Sequence, residues 1–375
     1  MTGNGAVPAA GGLPGRGQPA DRLSLSACPG PLSEHYDAAL LDLDGVVYLG
    51  GTPIPGAADA LADAARRGMK RAYVTNNASR TPHAIAAQLT AMGVAATAAD
   101  VVTSAQAAAH LLADRLPAGA AVLVVGGTGL RLAIRDRGLR PVTAAAERPA
   151  AVVQGYSHDI SYGLLAEAAL AIQAGALYVL SNADATLPTP RGPQPGNGSL
   201  AQVLIHATGS IPVVAGKPEP PLHAESVERV GAVRPLVVGD RLDTDIEGAV
   251  RGGADSLLVL TGVTTPADLL LAPPQRRPAY IAADLSGLNV AQPEVTGHDR
   301  AFRCGGWTAA AAGANAGGDP WLTVAGAGHW VDGLRALCAA AWTAGLPPGD
   351  AAAQLKAAQA AIAAIKPAPI KPAKH

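Results

Sequence analysis

The chain has 375 residues, a length for two to three domains at about 150 residues each, and its 49% hydrophobic, 3% aromatic and 15% charged residues are a globular composition. Its 28 Lys and Arg against 29 Asp and Glu leave a formal net charge of -1, which argues against nucleic acid or an anionic membrane held by a broad basic field, so any phosphate must be met locally. The longest apolar runs, such as 121–125, fall far short of the ~18 residues of a membrane span, and three cysteines (Cys28, Cys304, Cys338) too widely spaced for zinc imply a reducing, cytoplasmic setting.

The first 31 residues hold 7 Gly and 5 Pro with no continuous apolar stretch, so 1–33 reads as a disordered tail and not a signal peptide. From Tyr36 onward short apolar runs alternate with helical patterns, the mark of an α/β fold with a parallel sheet. The expected strands are 38–42, 70–75, 121–125, 150–153, 176–180, 211–215, 235–239 and 256–260. Helices are expected after Thr81 and Pro82 as cap and first residue, from Ser161 towards Gly175, and from Ser199 towards Gly209. All seven Tyr lie between Tyr36 and Tyr280, whereas all four Trp and the single Phe fall after residue 300, so the last quarter reads as a separate module. It ends in an Ala-rich helix over 350–365 and a disordered Lys/Pro tail over 366–375.

Two strand ends carry clustered acids. Leu40-Leu41-Asp42-Leu43-Asp44-Gly45 runs an apolar strand into two carboxylates and a glycine, and Val238-Gly239-Asp240-Arg241-Leu242-Asp243-Thr244-Asp245 repeats the arrangement ahead of a helix. Ligands of open α/β sheets bind at such carboxyl ends. Converging carboxylates raise one another's pKa unless a hard cation sits among them, and oxygen-only ligands point to Mg²⁺. An EF-hand loop fits poorly, because its sixth position would be Val47 and a strand precedes it. Asp243 reads as a helix N-terminal acid only.

Two further strand ends suit a phosphate. Thr75-Asn76-Asn77 offers a hydroxyl and two amides before a helix, and Gly216-Lys217-Pro218 offers an ammonium. Each alone is also an ordinary turn or a solvated lysine. Together with the acids they are the parts that hold a phosphoryl group while charge spreads over its oxygens.

In order and content these segments resemble the haloacid dehalogenase superfamily of phosphatases. Its DxDG motif stands here as Asp42 to Gly45, its strand-end Thr as Thr75, its lysine as Lys217 and its GDxxxxD motif as Gly239 to Asp245. The resemblance implies Asp42 as nucleophile, Asp44 as general acid and base, and Gly45, Thr75, Asn76, Asn77 and Lys217 around the phosphate. It implies Asp42, Asp44, Asp240 and Asp245 around Mg²⁺, the cofactor. The stretch between Thr75 and Lys217 resembles the large α/β cap of the subgroup (IIA, C2-type cap) that includes nucleotide, pyridoxal-phosphate, nitrophenyl-phosphate and glycerol-phosphate phosphatases. Gly175-Ala176, Ser181-Asn182-Ala183-Asp184 and Gly196-Asn197-Gly198-Ser199-Leu200 are among the fragments that carry it. The resemblance covers about 36–288. It implies a small phosphate ester as partner, glycerol 3-phosphate first, with Asn182 and Asp184 contacting the alcohol. Both also suit an Asx turn.

The implied architecture is a Rossmann-like parallel-sheet core (34–117 and 212–290), an inserted α/β cap (118–211) and a small C-terminal accessory module (291–365). For that module a reduced acetyltransferase-like fold and a docking role both stay open. No Arg/Gln-x-x-Gly-x-Gly/Ala loop occurs after Ala291, so acetyl-CoA chemistry has no support in the residues. A homo-oligomer is left open. His158 reads as a surface residue. The rivals are a Rossmann oxidoreductase at Gly126-Gly127-Thr128-Gly129, whose fingerprint breaks at Leu132, and a non-catalytic binding protein on the same scaffold, whose mark would be loss of Asp42, Asp44, Lys217 or Asp240.

Overall fold

A computed structural model describes residues 25–365 except 188, 190, 299, 312–320 and 348. The tail expected over 366–375, and that over 1–33 as far as residue 24, lie outside the described residues. Residues 25–33 correct the expectation of a disordered tail. Leu25 is buried, the Cys28 amide donates to Gln292 O at 2.9 Å, and Leu32–His35 is a short helix. The described residues form two compact units, one of 74–87 and 97–231, the other of 25–73, 88–96 and 232–365.

In the second unit, strands Tyr280–Ala282, Asp255–Val259, Pro235–Gly239, Ala38–Leu41 and, of Lys70–Thr75, the part over 70–73 that belongs to this unit, follow one another side by side, all parallel. Such strands are covered on both faces and so read as unbroken apolar runs, as Ala38–Leu41 and Pro235–Gly239 do, every residue buried. The first strand stops one residue short of the expected Asp42, which leaves that carboxylate in the turn.

The accessory residues belong to this unit. Thr296–His298, Ala301–Cys304, Trp307–Ala311 and Leu322–Gly326 make a four-stranded antiparallel sheet that neither propensity nor motif announced. Helix Trp330–Ala344 packs Leu334, Leu337 and Cys338 against it, and one apolar cluster joins Phe302, Trp307 and Leu337 to Leu258, Leu269 and Ile281 of the parallel-sheet region. Arg335, nearly buried, donates to Ile281 O and to Gln292 Oε1, both at 2.6 Å, and Trp342 Nε1 donates to Leu269 O at 3.1 Å. The expected terminal helix is present as Ala351–Ala363, with Asp350 capping the amide of Ala353 at 3.0 Å.

The other unit holds a second parallel sheet in the order Val213–Val214, Leu177–Leu180, Ala151–Gln154, Ala121–Val125 and Arg140–Val142. Its first strand carries this sheet beyond the expected 118–211 boundary, because Val213 and Val214 pair with Val179 and Leu180. Helices follow Thr81 and Ser161 as expected, each hydroxyl accepting an amide three residues on at 3.2 Å. The helix expected from Ser199 begins earlier, as Asn197–Thr208, where the buried Asn197 side chain donates to Asn182 O at 2.7 Å. The Gly-rich turn at 126–129 is a packing device. A β-carbon at Gly129 would overlap the carbonyl oxygens of Ala78 and Arg80, so glycine lets helix Thr128–Asp136 approach that loop. Among the described residues no helix is long and apolar enough to cross a membrane.

Candidate active site

Parallel pairing puts two strand ends side by side. Leu41 is registered with Val238, the Asp42 amide donates to Val238 O at 2.8 Å, and Asp240 follows the neighbouring strand directly after Gly239. The turn Leu242–Ile246 then returns Asp245 to the same place. Carboxylate oxygens of Asp42, Asp240 and Asp245 all lie within 4.8 Å of one another, with Asp240 and Asp245 buried.

Glycines shape this cradle. Gly45 has φ +85°, and a β-carbon there would overlap the Asp240 carboxylate, as would one at Gly262. The Asp240 carboxylate accepts from Val263 N at 2.6 Å, and Asp245 Oδ2 accepts from Arg241 N at 3.2 Å. Three buried or half-buried carboxylates this close repel one another, so the donor set fits a hard divalent cation. The loop 261–263 was missed by sequence reasoning, although it too leaves a strand end, Asp255–Val259, and Thr261 Oγ1 donates to Gly45 O at 2.5 Å.

Asp44 lies outside that group of three carboxylates, and its Oδ1 accepts from Gly50 N at 3.3 Å. Although Asp44 as a residue is exposed, partial desolvation of its carboxyl by the surrounding protein pushes its pKa above the usual range, against the pull of amides at Gly50 and Gly45. The Gly45 N–H donates to Tyr48 O at 2.6 Å. Asp243 pairs with Arg241 at 2.9 and 3.1 Å. Burial lifts its carboxyl, but that partner outweighs it and holds the pKa below the usual range.

The remaining expected residues gather in the other unit. Lys217 is buried and not the solvated surface charge of the alternative reading, and its ammonium donates to Val74 O at 3.3 Å. The Thr75 hydroxyl accepts from Asn77 N at 3.1 Å. The Asn77 carboxamide oxygen is engaged by Ser79 N at 3.0 Å and Arg80 N at 3.1 Å, and so holds the turn. The Asn76 carboxamide is tied into the fold: Oδ1 accepts from Lys217 N at 2.8 Å, and Nδ2 donates to Lys217 O at 3.1 Å and to the Asp184 carboxylate at 3.2 Å. Asn182 gives Nδ2 to Asn76 O at 2.8 Å and takes Asp184 N at 3.2 Å, the Asx turn of the alternative reading. Sequence reasoning also missed Ser104, fully buried, whose hydroxyl donates to Asn76 O at 2.6 Å. His158 is exposed beside the Tyr156 hydroxyl at 3.1 Å.

Residues 39–140 match the family of haloacid dehalogenase-like hydrolases, and 214–288 match a second HAD-hydrolase-like profile. The chain is 52% identical over 258 residues to a D-glycerol 3-phosphate phosphatase of Mycobacterium tuberculosis, covering 69% of this chain and 72% of that one. An acid sugar phosphatase of Staphylococcus saprophyticus is 38% identical over 63% of this chain and 91% of its own. Among solved structures, a magnesium complex of a glycerol phosphate phosphatase from Mycobacterium tuberculosis superposes with a TM-score of 0.77 at 44% identity, over 88% of this chain and 99% of that one. A 4-nitrophenylphosphatase from Thermotoga maritima reaches 0.64 at 30% identity, over 69% of this chain and 98% of its own. Motifs, fold and relatives agree, and the chain belongs to the haloacid dehalogenase-like hydrolases.

Proposed function

We propose that the chain is a Mg²⁺-dependent phosphomonoester hydrolase that works through an aspartyl-phosphate, with glycerol 3-phosphate as its foremost substrate. The observation that carries the reaction class is the convergence of Asp42, Asp240 and Asp245 at the ends of adjacent parallel strands. Asp42, Asp240 and Asp245 would hold the ion, which when bound supplies positive charge against theirs and against that of the phosphoryl oxygens. An Asp42 carboxylate oxygen attacks phosphorus, the P–O bond to the alcohol breaks, and the departing alkoxide takes a proton from Asp44. Asp44 then removes a proton from water, which attacks the aspartyl-phosphate, releases inorganic phosphate and restores Asp42. Its raised pKa suits the acid half of that cycle. Thr75 and Lys217 hold the phosphoryl group, and Asp184 faces the alcohol.

Support for the substrate comes from the identity to a D-glycerol 3-phosphate phosphatase, and small polyol hydroxyls suit a few polar groups. The reading includes a core of 34–117 and 212–290 with an inserted cap of 118–211, and a cytoplasmic setting that suits three free, buried cysteines. The test is phosphate release from a panel of esters led by both enantiomers of glycerol 3-phosphate, with Mg²⁺ or EDTA. Metal-dependent release preferring a glycerol 3-phosphate supports the whole reading. Preference for pyridoxal phosphate, phosphoglycolate, a nucleotide or nitrophenyl phosphate keeps the class and replaces the substrate, and no release from any ester sinks both.

A further inference from the structure

Lys217 is gripped at both of its main-chain polar groups by a single side chain. Its N–H donates to Asn76 Oδ1 at 2.8 Å, and its carbonyl accepts from Asn76 Nδ2 at 3.1 Å. Two hydrogen bonds to one residue's backbone fix where its side chain starts and which way it leaves. Asn76 is in turn held still. Its own carbonyl accepts from Ser104 Oγ at 2.6 Å and from Asn182 Nδ2 at 2.8 Å, and its carboxamide also reaches the Asp184 carboxylate. Gly216 completes the fit, because a β-carbon there would come within 2.5 Å of Ser181 O and 2.6 Å of Asn76 Oδ1 and push the carboxamide aside. Ser104, Asn182 and Gly216, from three separate stretches of chain, all close around Asn76.

We propose that Asn76 is a positioning residue for Lys217, aligning the ammonium with the phosphoryl group through the lysine's backbone, with Ser104, Asn182 and Gly216 as its seat. This rests on the phosphatase reading above. Displacing a charge-stabilising group by about 1 Å costs roughly 10²-fold in rate, so Asn76→Ala is expected to lower kcat about 10²-fold while KM moves far less.

A double-mutant cycle with Lys217→Ala separates this role from general support of the fold. If Asn76 acts through Lys217, adding Asn76→Ala to Lys217→Ala lowers kcat/KM by less than about threefold, whereas losses that multiply overturn the proposal. Gly216→Ala, which keeps the Asn76 side chain but pushes it off the Lys217 backbone, should repeat the kinetic signature, and it serves if Asn76→Ala does not fold. A readout independent of turnover is the ¹⁵N resonance of the Lys217 ammonium, assigned with Lys217→Arg. Its chemical shift and titration should move in Asn76→Ala and Gly216→Ala; an unmoved resonance overturns the positioning role. Should the wild type hydrolyse no ester, the phosphatase reading fails while the resonance still decides whether Asn76 sets the lysine.

Discussion

Asp42 is tied by its amide to the carbonyl of Val238 at 2.8 Å, and two residues beyond Val238 stands Asp240, so the ladder of two parallel strands sets one carboxylate beside another. Replacing Asp42 by Asn keeps the size and the amide bond but removes the nucleophilic charge. We expect Asp42→Asn to fold, to show an unchanged circular-dichroism spectrum, and to lose at least about 10³-fold in phosphate release. Retention of more than a tenth of the wild-type rate would remove Asp42 from the chemistry.

Gly45 is the sharpest steric constraint on the metal cradle. Alanine there meets a positive φ of +85° and the Asp240 carboxylate at once. Gly45→Ala should cost about 2–4 kcal/mol of stability and weaken Mg²⁺ binding, read by calorimetric titration of the ion alone. Wild-type Mg²⁺ affinity in a folded Gly45→Ala protein would show that Asp240 does not need that space.

Glu225, itself buried, is the hub of an ionic group whose basic partners are half-buried. Its carboxylate accepts from His110, from Arg229 and, at 2.9 Å, from Arg137. Burial pushes its pKa up, but the His110 and Arg229 hydrogen bonds and the Arg137 and Arg229 charges outweigh this and hold it below the ordinary value of 4.5. A depressed carboxylate contributes stability above its unfolded pKa, and that stability is lost as pH falls through the folded value. Melting temperature should therefore hold above about pH 5 and fall on further acidification. Glu225→Gln should lower the neutral melting point, with a loss of about 3–5 kcal/mol, and flatten the acid slope. An unchanged acid slope would assign the pH dependence to other groups.

The accessory residues share a core with the parallel-sheet region instead of hanging from it. Trp342 lies under Arg277, 5.1 Å from its guanidinium, and binds Leu269 O. Trp342→Ala should cost about 3–5 kcal/mol, and removing 291–375 should bare Leu258, Leu269 and Ile281 and give aggregated protein. A soluble, monodisperse truncated chain melting like the wild type would contradict the shared core.

The sequence by itself determined the parallel-sheet region and the chemistry at its edge. Strands 38–41 and 235–239 are continuous buried runs because both faces are covered, and Asp42 and Asp240 follow them directly, where a reader of strand ends looks. The accessory sheet stayed hidden because its alternating strand Trp307–Ala311 buries alanines, whose short side chains carry little strand or core signal, although they fill space well beneath helix Trp330–Ala344. Only tertiary structure could decide which polar side chains face outward and which hold the fold. No linear reading of Asn76 and Asn182 shows that the fold joins Asn76 to Lys217 across 141 positions and Asn182 to Asn76 across 106. A carboxamide pairs with whatever backbone the fold brings within about 3 Å, and nothing in its local sequence records that partner.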